Sequence, residues 1–166
     1  MALNNRRLFF ILALIPFLLL SFGYYQEYVT ELEPCPLCHM QRFAYILVFL
    51  TALIAAIHNP RIKTRAVVIY TMLGAIFALM GLLLAARQIW LQSLPPGEAP
   101  ACMPSFSVMI EYMPWTEVLK TSILGTGDCA KVDWTFLGLS IAAWSAVWFF
   151  IIIIINFIIL LLNKKN

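Results

Sequence analysis

Four uncharged apolar stretches, at about 8–25, 43–58, 66–86 and 136–162, constrain this chain more than anything else in it. A helix needs about 20 mostly apolar residues to cross the hydrocarbon of a bilayer, with a range of roughly 17–25. The second stretch is short by that measure, but Gln41, Arg42 and Asn59 at its ends can snorkel to the surfaces. The fourth is long enough to tilt. Residues of the hydrophobic class make up 63% of the chain and charged ones 11%, against about 45–50% and about 25% in soluble domains. The expectation is an all-α integral membrane protein, a single four-transmembrane-helix bundle over residues 1–166 with outer loops at about 26–42 and 87–135. The first stretch follows Arg6 and Arg7, as the core of a signal peptide would. It exceeds the usual h-region of about 7–15 residues, and Ser21-Phe22-Gly23 matches a cleavage site poorly, so it is read as a span.

The charges orient the bundle. Arg6 and Arg7, then Arg61, Lys63 and Arg65, then Lys164 and Lys165 fall in segments that share one side of an even-span protein. Those segments hold no acid; the eight acidic residues all lie on the opposite side. Basic loops stay cytoplasmic, which puts Cys35, Cys38, Cys102 and Cys129 outside, in a compartment where disulfides persist. For a bacterial inner membrane that face is periplasmic. The net charge of +3 is small and offers nucleic acid nothing to bind.

Within the third stretch Gly74, Ala78, Gly81 and Ala85 share one helix face, and the fourth offers Gly138, Ala142, Ser145 and Ala146. Small residues so spaced let membrane helices approach closely. The second outer loop is rich in proline (Pro95, Pro96, Pro100, Pro104, Pro114), and Trp115–Leu124 has the spacing of a short helix lying on the membrane plane. Gly125-Thr126-Gly127 frees the backbone before Cys129, which predicts mobile segments around Cys102 and Cys129.

The chemistry resides in Cys35-Pro-Leu-Cys38, followed by Arg42. C-x-x-C pairs commonly contain one thiol of lowered pKa. If the second helix begins this early, Cys38 lies near its positive N-terminal end and Arg42 is one turn along the same face. Zinc would need four ligands, and the outer cysteines lack a second C-x-x-C, so no metal is expected. His39 and His58 lie too near span ends to suit a haem. Two extracytoplasmic pairs suit a thiol–disulfide relay, and with no Rossmann fingerprint for FAD or NAD its electrons need a membrane-soluble acceptor. By residues alone, a non-catalytic scaffold with two structural disulfides also stays open.

Cys35-Pro-Leu-Cys-His-Met-Gln-Arg42, Trp90-Leu-Gln92, Pro100-Ala-Cys102, Gly127-Asp-Cys129 and Trp134-Thr-Phe-Leu-Gly-Leu139 together resemble the DsbB family of disulfide bond formation proteins, over nearly the whole chain. The resemblance implies a protein-dithiol:quinone oxidoreductase with ubiquinone or menaquinone as cofactor and a DsbA-like periplasmic thioredoxin-fold oxidase as partner. It implies that Cys102 and Cys129 form the disulfide that receives electrons, with Cys102 the sulfur attacked. Cys35 would exchange with that pair, Cys38 would face the quinone, and Arg42 would help to bind the quinone head group and stabilise the Cys38 thiolate. Many members of that family carry a histidine near the outer end of the third span; this chain has Gln88, which donates a hydrogen bond but carries no proton at neutral pH. Arg87 beside it offers a replacement charge. Vitamin K epoxide reductase-like proteins, which run the opposite reaction, usually place C-x-x-C after their loop cysteines, whereas here it comes first.

Overall fold

A computed structural model of the chain describes residues 5–60, 64–95, 98–104 and 106–165. Arg61, Lys63 and Pro96, used above, lie outside the described residues. Among the described residues, four helices are long and apolar enough to cross a membrane: α1 (Asn5–Val29), α2 (Pro36–His58), α3 (Arg65–Gln92) and α6 (Ile141–Lys165). Between α3 and α6 come α4 (Phe106–Tyr112), α5 (Trp115–Leu124), a 3₁₀ turn (Gly127–Ala130) and a two-stranded hairpin, β1 (Thr135–Phe136) with β2 (Leu139–Ser140). The protein is the all-α multi-pass membrane bundle that the apolar stretches implied, with α5 on the residues expected for the short loop helix.

Helix limits follow local chemistry. Pro36 opens α2 because proline's fixed φ suits the first helical position, where an N–H would go unpaired anyway. Asn59 closes α2 in the left-handed region (φ 46°), its N–H bonded to Ala55 O at 3.0 Å. The fourth stretch does not begin as helix at residue 136. Leu137 (φ 51°) and Gly138 (φ 79°) form a two-residue hairpin turn. Ser140 Oγ then accepts from Ala143 N at 3.3 Å as an N-cap, which fixes the start of α6 at Ile141.

α1 packs on α2, α2 on α3 and α3 on α6, while α1 and α6 touch only sparingly. Large apolar side chains such as Phe10, Phe17, Ile76, Leu83, Phe150 and Phe157 face outward, as lipid requires. The buried face of α3 is the small-residue stripe, Gly74, Ala78, Gly81 and Ala85, and continues outward to Gln88 and Leu91. The far end of the Phe149 ring abuts Gly81, where an added Cβ would sit 2.7 Å from ring Cε2, and Asn156 Oδ1 lies 2.9 Å from a Cβ placed on Gly74. Phe149 in turn stacks on Tyr45 of α2, with ring centroids 4.0 Å apart at 11°. Close approach of α6 to α3 is therefore what carries the bundle's core out to the site.

Candidate active site

The start of α2 builds the dithiol. Cys35 is the N-cap, with extended backbone (φ −68°, ψ 163°), and Cys38 follows within the first turn. Their sulfurs lie 2.9 Å apart, and all four cysteines are free thiols here. From α3, Gln88 Nε2 donates to Cys38 Sγ at 3.3 Å and to Cys35 Sγ at 3.4 Å. Gln41 Nε2 donates to Gln88 Oε1 at 2.6 Å, and both glutamines are only 4% exposed.

A cavity of about 360 Å³ lies beside Cys38, within the roughly 300–1,000 Å³ of small-molecule pockets. Leu19 and Gly23 of α1 wall one side, Trp144 and Trp148 of α6 the other, with Gln41 and Gln88 among its polar lining. Phe22, Trp134 and Phe136 form an aromatic chain at its rim, with centroid spacings of 5.8 and 6.0 Å. Both α1 and α6, which touch only sparingly, contribute to its walls.

Arg42 also lines this cavity, but its guanidinium is committed to α1. It pairs with Glu27, donates to Gly23 O at 2.9 Å and stacks over Tyr24 at 4.9 Å. Among the described residues, the side-chain partners of Cys38 Sγ are Cys35 Sγ and the neutral amide of Gln88, and the expected Arg42 cation is not one of them. Arg87 turns elsewhere: its Nε donates to Leu124 O at 3.1 Å and its guanidinium covers Trp90 at 4.3 Å. It caps the C-terminus of α5, where carbonyls lack partners.

The second pair is split between an outer and an inner position. Cys102 is exposed, beside the Asp128 carboxylate, which also accepts from Met103 N at 3.3 Å and from Lys131 Nζ at 2.9 Å. The Lys131 ammonium holds the Asp128 carboxyl below the usual range. Cys129 is buried on the N-terminus of α2, against Leu37 and Leu91, where Cys35, the backbone N–H groups of Thr126 and Leu37, and Thr126 Oγ1 at 3.8 Å bond its sulfur. Hydrogen bonding from Cys35 first, then those amides, lowers the Cys129 thiol to about 6 against the opposing effect of burial. Cys35, as donor to Cys129 and Cys38 and largely buried, is pushed well above the ordinary thiol range. Cys35 therefore touches one sulfur of each pair. The glycines before Cys129 allow close approach. Gly125 (φ 80°) presses onto Leu37, whose Cδ1 would lie 2.7 Å from any Cβ added there, and Gly127 N bonds Ala101 O at 3.2 Å.

Comparison with known proteins gives the family. The family profile described as "Disulfide bond formation protein DsbB" matches residues 5–159. The chain belongs to the DsbB family. It is similar to the disulfide bond formation protein B of Hahella chejuensis, 48% identical over 89% of this chain and 88% of the relative. That of Marinobacter nauticus is 45% identical over 96% and 94%, and that of Aromatoleum aromaticum 42% over 99% and 96%. As a DsbB-family protein the chain is a membrane oxidoreductase of disulfide bond formation.

In this DsbB-family chain, Gln41 is the site residue that sequence reasoning passed over, as an interfacial polar group. A signal was present: positions 37, 41, 44, 45 and 48 form the buried face of α2, and Gln41 is the one polar amide among them. A polar residue on the inward stripe of a membrane helix usually has work there.

Proposed function

We propose that the protein reoxidises a DsbA-like periplasmic dithiol oxidase and delivers the electrons to a membrane quinone, ubiquinone or menaquinone. It does so from the bacterial inner membrane, with both termini cytoplasmic and the cysteines periplasmic. The observation that carries this reading is the contact of Cys35 with both Cys129 and Cys38, which joins an exposed thiol region to a cavity within the bilayer.

The sequence of exchanges follows from access and leaving-group quality. With Cys102 and Cys129 joined, a thiolate of the partner attacks the exposed Cys102 sulfur, and Cys129 leaves into the bonds of the Thr126 and Leu37 amides. The partner's second thiol then attacks its own half of the mixed disulfide, departs oxidised and releases Cys102. Cys129 attacks Cys35 of an oxidised Cys35–Cys38 pair, and Cys38 leaves as a thiolate facing Gln88 Nε2. Cys102 attacks Cys129, which restores the outer disulfide and frees Cys35. The net result is that two electrons and two protons have moved from the partner dithiol to Cys35 and Cys38. A quinone bound in the cavity supplies the two-electron, two-proton acceptor that lets this pair close again.

The lining fits such a group. Aromatic walls from Trp144 and Trp148 suit a flat ring, and the N–H groups of Arg42 beyond those given to Glu27 and Gly23 O would supply donors for its oxygens. The seam between α1 and α6 suits an isoprenoid tail leading into lipid. The test is turnover by purified protein given reduced partner and a short-chain quinone, read as quinone loss. Cys38→Ala and Cys102→Ala should each abolish it; turnover surviving in both would sink the reading.

A further inference from the structure

Two primary amides buried at one end of a membrane bundle are costly unless both find partners. Gln41 occupies a stripe of α2 that is otherwise Leu37, Ala44, Tyr45 and Val48, where an apolar side chain would pack without that cost. Its amide reaches Gln88 Oε1 at 2.6 Å, a short hydrogen bond between two buried side chains. A glutamine amide has one accepting end and one donating end, and half a turn of its last torsion exchanges them. With its oxygen engaged by Gln41, Gln88 presents N–H groups to the sulfurs, 3.3 Å from Cys38 and 3.4 Å from Cys35. Cys38 Sγ also lies 3.7 Å from Gln88 Oε1, a contact that serves the thiol as weak donor and is given up by the thiolate. Turned the other way, Gln88 would set an oxygen lone pair against a forming thiolate. The one guanidinium lining the cavity, that of Arg42, is held by Glu27 and Gly23 and does not relieve the need for those N–H groups.

We propose that Gln41 is a positioning residue for the sulfur that faces the electron acceptor: by fixing which end of Gln88 points at Cys38, it stabilises the Cys38 thiolate without any ionisable group. This inference rests on the reading of Cys38 as that sulfur. It makes Gln41 and Gln88 a single device, so that removing either end removes the effect of the other.

The experiment reads Cys38 directly. Fully reduced protein in detergent is treated with iodoacetamide at pH 7, and modification of Cys38 is followed by mass spectrometry, with neither quinone nor partner present. Gln41→Leu slows modification by about tenfold, the effect of losing one hydrogen bond to a charged group. Gln41→Glu keeps the volume and, in its ionised form, only accepts hydrogen bonds, so as a carboxylate it draws Gln88 Nε2 away from sulfur and slows modification at least as much. In turnover, both variants lower kcat and leave KM for the reduced partner unchanged. In a Gln88→Leu background, Gln41→Leu adds less than about a twofold change, because residues acting as one unit are not additive. A role confined to packing would loosen the pocket, expose Cys38 and speed its modification. Unchanged or faster modification in Gln41→Leu and Gln41→Glu, or an undiminished effect with leucine already at position 88, overturns the proposal. Since alkylation needs no quinone, the oxidase reading can fail in unaltered protein while this inference stands, and the reverse.

Discussion

Adding one methyl group at Gly81 tests whether the α3–α6 contact sets the depth of the site. In Gly81→Ala the new Cβ would fall 2.7 Å from Phe149 Cε2 and overlap two further ring carbons, where carbon atoms settle at about 3.5–4.0 Å. Phe149 has nowhere to retreat: it is fully buried and stacked on Tyr45 at 4.0 Å. α6 must therefore move away from α3 by roughly an ångström, and Tyr45, which lines the cavity, follows. Overpacking of this kind costs about 1–3 kcal/mol, and the better helix propensity of alanine returns up to about 1 kcal/mol. The net expectation is a loss of about 1–2 kcal/mol. Gly23→Ala is the matched control in α1. Its Cβ would meet Arg42 Nε at 3.6 Å, an ordinary contact, so only the propensity gain of about 0.5–1 kcal/mol remains. The two variants should depart from the parent in opposite directions. The assay is unfolding in mixed micelles with rising dodecyl sulfate, followed by tryptophan fluorescence. Gly81→Ala equal to or more stable than Gly23→Ala would refute the claim that α6 is seated directly on the glycine.

Arg42→Met removes the ion pair with Glu27 and the bond to Gly23 O; with the partners 16% and 23% exposed, the loss should be about 1–2 kcal/mol, below that of a fully buried pair. Adding Glu27→Gln should recover part of it by removing the stranded acid, and a double-mutant cycle in the same unfolding assay checks this. The Cys129 resonance of protein labelled with ¹³Cβ-cysteine, with all four thiols reduced, should titrate near about 6. Cys129 is then mostly thiolate at pH 7 and loses that form as pH falls through 6. Cys35→Ala should move the midpoint upward by removing the foremost donor; a midpoint above about 8 in the unaltered protein would show that Cys129 does not sit in those hydrogen bonds.

Most of the architecture could be read from the chain because hydrocarbon leaves so few choices. Backbone polar groups there must bond within their own helix, so long apolar runs become helices. The stripe Gly74, Ala78, Gly81, Ala85 announced its role by spacing alone, and extended one turn further it points at Gln88. Helix limits were less legible. They rest on single-residue events such as the hairpin turn at Leu137-Gly138 and the Ser140 cap, which an apolar stretch does not record. Among site residues, the cysteines stood out by spacing, while the commitments of Arg42 and Arg87 did not. An arginine near a membrane surface has many partners within reach, and only the fold selects Glu27 for one and Leu124 O for the other. Gln41 was hidden for the opposite reason, since a lone glutamine at a helix end looks like a surface group until its face is known.

The sparse contact between α1 and α6 carries a consequence for how the site is supplied. Under the proposed function, the acceptor would enter this cavity from the bilayer, along the seam between α1 and α6. The cavity's effective ligand supply is then a mole fraction in two dimensions. Diluting proteoliposomes with buffer should leave saturation untouched, and diluting them with extra lipid should lower it in proportion. By the same reasoning, a compound that competes for this cavity is selected first by its partition into the membrane and only then by its fit between Trp144, Trp148 and Gln88.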